Sequence, residues 1–556
     1  MKYVEIKESI DKFWQTESLL KRLFFVVFVL LFSFSLTIYT VQHIIIGPYY
    51  QQSILVTALS SLLIGGWFCR KPIKEVLELS VKRPYVLLLF TIWVLFIQYY
   101  TFRNKNELSR ANLLELSGKV DLFSLAWYLF AGLSLLFFLM WFYKRIGGSI
   151  CSVYTGVKRK DVVLLLIVVA IYALIISVLY LTCPNMYNQL DNVYSNDSRW
   201  VVEGIFSDVN YYDLRHPIMS ELFFPIWAGL NGFLKLLGVN SYRLPTAIIF
   251  IQIINVFCIF TVAVALGKLT KNRYVTIMYI LSMPSLLYCL TLEKYQIPLL
   301  FIVLYVYDYF NERNNSGIFL VTTVGLNPVF GMLWCNELIN NKLALKIRIK
   351  RLIVYAASLI LVLIGTGRGL LFFMDNLLLQ FDRETLFFRS GVFSVREKLI
   401  GICNLHNNCV LALDSYITEP YLWLGDGVSM KISYTWLGVN QSISIVGILI
   451  ILITLLGIWA GRKEQLYRLC GLWISIVPLF MFLVMNLSPF ETPLYSIFFS
   501  WSLIPLFVKG IEQIVALFRV SRNGIYVMLC CIIAFINVNT IIRVCHFLYC
   551  IDDLYI

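Results

Sequence analysis

Between residues 182 and 217 the chain gathers Asp191, Asp197, Arg199, Glu203, Asp208, Asp213, Arg215 and His216 into thirty-six residues. Carboxylates, guanidinium groups and an imidazole at this density are equipment for proton transfer and anion binding. A carboxylate within about 3 Å can take a hydroxyl proton, and Arg and His steady charge developing on a departing anion. The loop lies between strongly apolar stretches. An ionisable group at mid-bilayer costs roughly 2.5–3.5 kcal/mol, so a crowd of them where apolar runs end points to a polar cavity or a substrate. Three other polar connections carry related chemistry: the turn Leu292-Glu293-Lys294-Tyr295-Gln296, the turn Ser488-Pro489-Phe490-Glu491-Thr492, and the long stretch 368–440. The last holds Arg368, Asp375, Asp382, Arg383, Arg389, Arg396, Lys398, His406, Asp414 and Asp426 among Tyr421, Trp423, Tyr434 and Trp436. Such a mixture suits sugar stacking and anion binding.

Plainer roles compete at each position. Asp197 also suits an Asx-turn or the cap of a helix starting near Trp200. Asp213 suits the cap of a helix whose first turn holds Pro217, with Arg215 and His216 as interface anchors. Glu293 and Glu491 suit solvated turns, Arg368 a span end reaching for headgroups, and the Tyr and Trp residues interface belts.

The elements that would position these groups are membrane spans. Of 556 residues, 59% are hydrophobic and 14% charged, and the mean hydropathy is +0.78. Apolar runs sufficient for about 30 Å of hydrocarbon recur near 23–46, 53–68, 85–102, 121–143, 162–181, 244–267, 274–290, 297–310, 351–367, 441–460, 469–486, 494–509 and 524–547. They far exceed barrel-strand length, so an all-α integral membrane protein of about 12–14 helices is expected. The composition divides it into N-terminal helices (1–160), a membrane core with the polar loop (161–367), a mixed external region (368–440) and C-terminal helices (441–556).

The net charge of +14 follows membrane orientation, so no nucleic-acid partner is expected. Segments 1–22, 69–83 and 144–160 carry five Lys or Arg each, whereas 47–52 carries none and 103–120 four. The N terminus therefore reads as cytoplasmic and the 182–217 loop as external. Met1 to Arg22 is charged and the run behind it is long, so the start reads as an anchor without cleavage. Gly325, Asn327 and Pro328 interrupt 315–341, and Lys342, Lys346, Arg348, Lys350 and Arg351 follow. Two half-helices returning to the side they left keep those cations inside. Residues 218–238, broken by Pro225, Gly229 and Gly232, read as lying in the outer interface.

Of 13 Cys, most fall within spans; Cys403 with Cys409, and Cys545 with Cys550, are candidate pairs in an oxidising compartment. No Cys-x-x-Cys spacing occurs and His numbers four, which argues against zinc. Gly365-Thr366-Gly367-Arg368-Gly369 lacks the Lys-Ser/Thr of an ATP-binding loop.

An external loop with Asn196-Asp197-Ser198-Arg199, then Arg215-His216-Pro217 and an amphipathic segment, with the Glu293 turn before a span, resembles the C-type (GT-C) membrane glycosyltransferases over residues 160–310. The loop here follows the fifth span, whereas the family has it after the first, so the N-terminal spans read as an added module. The resemblance implies transfer of a sugar from a polyprenyl-phosphate-linked donor to a lipid or glycan acceptor at the outer face of a bacterial inner membrane. Asp197 would be the catalytic base. Arg215, His216, Arg199 and Arg368 would hold the donor phosphate, and Glu293, Glu491, Asp208 and Tyr212 the substrate. No cofactor is demanded, although the family admits a divalent cation. Two alternatives stay open: an outer-face polysaccharide polymerase or ligase, in which Gly367-Arg368-Gly369 and His406 would matter more, and a flippase for lipid-linked oligosaccharides.

Overall fold

The structure, a computed structural model, describes residues 70–103, 122–157, 244–291, 295–313, 316–334, 344–365, 394–411, 445–484, 492–518 and 521–552, together with Glu293, Asn336, four short strands and scattered helical residues at 166–178 and 226–238. The described apolar runs are helical. Two antiparallel ladders, β1 (Tyr416–Ile417) with β4 (Trp436–Leu437) and β2 (Tyr421–Leu424) with β3 (Met430–Ser433), fall inside the stretch whose composition is mixed. Among the described residues four helices are long and apolar enough to cross a membrane: Ile251–Thr270, Gln465–Leu483, Ile497–Phe518 and Arg522–His546. The bent pair Glu75–Lys82 and Pro84–Ile97 would make a fifth. The expected 12–14 is not reached here because some apolar runs lie outside the described residues and others fold as shorter or interrupted helices.

The chain forms two compact units. The first comprises Met1–Gly148, Ile218–Ser241 and Ala357–Leu377. In it, α1 (Arg70–Lys82) turns through 108° into α2 (Pro84–Arg103). Pro84 opens α2, where a missing N–H costs nothing. Val76 and Leu79 of α1 pack with Val86 of α2 and Met140 of α3 (Leu122–Tyr154). Arg145 Nε donates to Glu75 Oε2 at 2.8 Å, and Lys144 Nζ to the Glu75 carbonyl at 3.1 Å, tying α1 to α3. The basic stretch 69–83 is thus an amphipathic helix lying across the end of a span. Gly229 and Gly232 are helical, and a Cβ on Gly232 would stand 2.0 Å from the Phe96 carbonyl oxygen in α2. These glycines lie in helix and permit its close approach to α2, so they are not breaks.

The second unit comprises Ser149–Pro217, Tyr242–Ala356 and Leu378–Ile556. Its helices are α4 (Leu244–Thr270), α5 (Arg273–Leu281), α6 (Met283–Leu290), α7 (Gln296–Phe310), α8 (Ser316–Leu326), α9 (Leu345–Gly365), α10 (Val395–Asn408), α11 (Ile445–Gly461), α12 (Gln465–Leu479), α13 (Thr492–Tyr495), α14 (Ile497–Phe518) and α15 (Arg522–Asp552). The run 274–290, expected as one span, is broken at Ser282, whose extended backbone (φ −65°, ψ 151°) separates α5 from α6 with Pro284 in the first turn of the latter. A break in an apolar run frees main-chain groups that lipid cannot satisfy. Here Asn537 of α15 donates to the Leu281 and Val410 carbonyls, both at 2.8 Å, and Met283 N–H reaches the Val410 carbonyl at 3.4 Å.

Val410 follows α10, and Leu405 and Cys409–Leu411 are buried. Within the 368–440 region, α10 starts at an exposed capping box, Ser394 with Glu397, and packs its far end against the bundle. Cys403 and Cys409 are free thiols on one helical path, six residues and about 9 Å of rise apart, beyond the reach of a disulfide. Cys545, also free, and Cys550 both lie in α15, about 7.5 Å apart in rise, so that pairing fails for the same reason.

α8 has 11 residues, about 16 Å, and ends at Asn327 before a 3₁₀ turn over Pro328–Leu333. Phe330 meets Phe498 at the start of α14 (ring centroids 4.9 Å), while Asn336 Nδ2 donates to Tyr305 Oη at 3.0 Å. Tyr305 stands nine residues into α7, so the chain has climbed to the level of Phe498 and come back down by Asn336. α8 is the first of the two half-helices anticipated for 315–341; the residues from 337 to 343, on which the return depends, lie outside the described residues.

Candidate functional site

One end of the second unit is basic and ion-paired. Lys509 Nζ donates to Glu464 Oε1 at 2.7 Å and Arg522 Nη2 to Glu512 Oε1 at 2.5 Å, while Asn272 Nδ2 bonds Glu512 Oε1 at 3.0 Å and Asn272 Oδ1 caps α5. Helices α4, α7, α12, α14 and the α5–α6 pair all run between this end and the opposite one, where Glu293 lies. Glu293 is 1% exposed, which overturns the solvated-turn reading. A carboxylate sealed at the end of apolar helices is costly unless partners or a task repay its desolvation.

The turn that carries Glu293 is clamped from three sides. Asn255 in α4 uses one side-chain amide for two carbonyls, donating to Glu293 O at 3.1 Å and Tyr288 O at 3.3 Å. Tyr288 Oη donates to the Leu494 carbonyl at 2.5 Å. Tyr295 sets its ring edge-on to Phe498 at 5.1 Å and to Tyr288 at 6.3 Å. Leu494 follows Glu491 by three residues. The flanks of the two acidic turns, which the sequence assigns to one face of the membrane, are therefore in contact. Asn408, at the inserted end of α10, donates to Thr492 Oγ1 at 3.1 Å and completes the junction. The elements that meet here are α4, the α6–α7 turn, α10 and the α13–α14 start.

Glu491, Asp197, Arg199, Asp208, Tyr212, Arg215, His216 and Arg368 lie outside the described residues. His406, central to the polymerase alternative, is on α10 with Nδ1 2.6 Å from the Ile402 carbonyl oxygen and Nε2 3.1 Å from that of Ile474. Burial pushes the His406 pKa down, so the neutral ring has one N–H to donate, and its two nitrogens lie against main-chain carbonyls of α10 and α12, which encloses the imidazole between those helices. At the exposed start of α10, the Ser394 N–H and hydroxyl hold the Glu397 carboxyl below the usual carboxylate range.

Sequence reasoning missed Asn255 and Gln296. Asn255 reads as one polar residue in a long apolar helix, and Gln296 as the tail of a turn, yet both are 0% exposed. An amide inside an apolar run was the available signal, since such groups in spans face protein partners or a cavity. Among the described residues no three His, Cys, Asp or Glu side chains gather to hold a metal ion. A groove of about 220 Å³ lined by Tyr274, Ile277, Leu281, Val527, Cys530, Cys531 and Ala534 is apolar and lies between α5 and α15, away from the Glu293 turn. Chemically, the Glu293 end offers a carboxylate, neutral amides and aromatic rings, a set that holds hydroxyl-bearing ligands better than anions. Compared with protein-family models, with curated proteins and with solved structures, the chain matches none.

Proposed function

We propose that this chain is a multi-pass membrane glycosyltransferase that moves a sugar from a polyprenyl-phosphate donor to a lipid or glycan acceptor at the outer face of a bacterial inner membrane. The observation that carries the reading is the burial of Glu293 at the end of the bundle opposite the paired cations, against the chain that leaves Glu491. With the basic end in the cytoplasm, that junction faces outward, on the side of the 182–217 loop. Asp197 takes the acceptor hydroxyl proton as the glycosidic bond forms, a contribution typically worth about 10²–10⁴ in rate. Arg199, Arg215, His216 and Arg368 steady the departing polyprenyl phosphate. Glu293 and Glu491, with Asp208 and Tyr212, orient sugar hydroxyls.

The test is transfer from a synthetic polyprenyl-phosphate sugar by purified wild type and by Asp197→Asn, with folding of both followed by thermal melt. Transfer lost in a folded Asp197→Asn protein supports the reading and locates the base. No transfer by the wild type from any such donor overturns it.

One observation favours transport of a lipid-linked oligosaccharide as a second reading: apolar runs broken at Ser282 and at Asn327, as in carriers with discontinuous helices. The main chain freed at Ser282 is already bonded by Asn537 and lies against Val410, which leaves it unavailable to a cargo. Movement of a fluorescent lipid-linked oligosaccharide across proteoliposomes, without sugar transfer, would favour this second reading.

A further inference from the structure

Gln296 is the first residue of α7, three positions after Glu293, and is 0% exposed. Among the described residues neither its Nε2 nor its Oε1 has a hydrogen-bond partner. Asn255, equally buried, has spent its Nδ2 on Tyr288 and Glu293, while its Oδ1 has no partner. Its bonded carbonyl is that of Glu293, three residues before Gln296, so both amides with unspent atoms stand at the Glu293 turn within a single unit. Buried polar atoms without partners destabilise a fold, and they are uncommon enough in native proteins that each calls for an explanation. Position 296 could carry Met or Leu with nearly the same volume and no polar cost. Trp334 and Trp501 each leave an indole N–H unbonded elsewhere, but a lone donor has no paired acceptor beside it. Gln296 offers both.

We infer that Gln296, with the side-chain oxygen of Asn255, forms the subsite that reads the hydroxyls of the transferred sugar, an inference that rests on the glycosyltransferase reading above. A side-chain amide matches a vicinal diol: one hydroxyl donates to Oε1 while its neighbour accepts from Nε2. Asn255 Oδ1 takes a further hydroxyl proton. The groups are neutral and discriminate by hydroxyl position, which leaves the phosphate to the cationic residues. A site built to bond a hydroxyl rejects an analogue lacking it strongly, because its own polar atoms are then left unpaired.

The experiment uses the full chain in detergent with two kinds of probe. One is bare polyprenyl phosphate; the other is the same lipid carrying glucose, mannose, galactose or arabinose. The quantity read is the affinity gained on adding the sugar, for wild type and for Gln296→Met, together with both melting temperatures. The wild type gains at least tenfold from its preferred sugar. Gln296→Met loses that gain, binds the bare lipid unchanged, and melts at the same temperature or higher, because an unpaired buried amide has been removed. A retained gain, or a variant that melts lower or fails to fold, overturns the inference by showing that the amide is paired within the core. A wild type that binds neither probe overturns the glycosyltransferase reading itself. Gln296→Asn, which keeps the amide but shortens its reach, distinguishes reading of hydroxyls from mere polarity: its preference among the four sugars changes if Gln296 sets it and stays the same if it does not.

Discussion

Replacing Gly457 and Gly510 by Ala probes a close main-chain contact between two helices of the second unit. A Cβ on Gly457 would stand 1.9 Å from the Leu506 carbonyl oxygen, and one on Gly510 would stand 2.0 Å from that of Ile453. Normal contact is roughly 3.5 Å, so either methyl must part α11 from α14 by on the order of 1.5 Å. The obstacle is main-chain oxygen, which cannot rotate aside. A gap of about 0.5–1 Å already forfeits roughly a quarter to a half of each contact's dispersion energy, and overpacking costs about 1–3 kcal/mol. Ala recovers about 1 kcal/mol in helix propensity. Each single variant should therefore lose about 2 kcal/mol at most, a fall of a few degrees in melting temperature. The informative comparison is the double variant. One separation of the helices relieves both clashes, so its loss should be close to that of one single variant, with a coupling of about 1–2 kcal/mol. Melting in detergent, followed by intrinsic fluorescence, reads all four proteins. Losses that simply add would refute the rigid-contact reasoning, since each helix would then be yielding locally. Because α14 begins with Phe498 against Tyr295 and follows Leu494 against Tyr288, transfer activity should fall with the displacement.

Three further outcomes are expected. Glu293→Gln should abolish or sharply reduce sugar transfer while leaving the melting temperature near that of wild type, because Asn255 holds residue 293 through its main-chain oxygen, which the substitution keeps; a large loss of stability would show the carboxylate to be structural. Thiol labelling under denaturing conditions should modify Cys403, Cys409 and Cys545 to the same extent with and without prior reduction, as free thiols on helices require; mass spectrometry finding a Cys403–Cys409 linkage would refute the helix at 395–408. Glu397 has a lowered native pKa, so its capping contribution is present above the ordinary carboxylate pKa and is lost as pH falls through the native value. Hydrogen exchange at the start of α10 should accelerate on acidification in wild type and show a weaker pH response in Glu397→Gln.

What could be read from the residues depended on whether the governing interaction is local. Hydropathy alone identifies the helical membrane character, because lipid forces backbone groups to pair within each span. Asn327-Pro328 announces the end of α8 since Pro lacks a donor and restricts the residue before it. The break at Ser282 was masked by the same hydropathy: Ser282, Pro284 and Ser285 are too few to lower the apolar average of 274–290, and the bond that stabilises its interruption comes from Asn537, more than 250 residues away in sequence. Gly229 and Gly232 read as breakers because glycine destabilises isolated helices, whereas packed helices use its missing side chain for close approach. The cysteine spacings of six and five residues suit a disulfide in irregular chain, and the helices at 395–408 and 522–552 rule it out by their rise.

The candidate site illustrates the same division. The sequence could assign Glu293 and Glu491 to one face, by counting spans and cations, but it could not join the segments that flank the two turns. That step depends on Tyr288 reaching Leu494 and on Tyr295 meeting Phe498, contacts that span about 200 residues of chain. Nor could composition distinguish a turn glutamate in water from one sealed at the end of a bundle, although the two have opposite energetic meaning: the first costs nothing, and the second must be balanced by partners or function. Asn255 makes that balance concrete. Its single amide bonds the Tyr288 and Glu293 carbonyls, so the turn is anchored through its main chain from within α4. A turn held by its main chain in this way keeps its anchor when the side chain changes, which makes Glu293→Gln the substitution that asks whether the buried carboxylate serves a bound sugar.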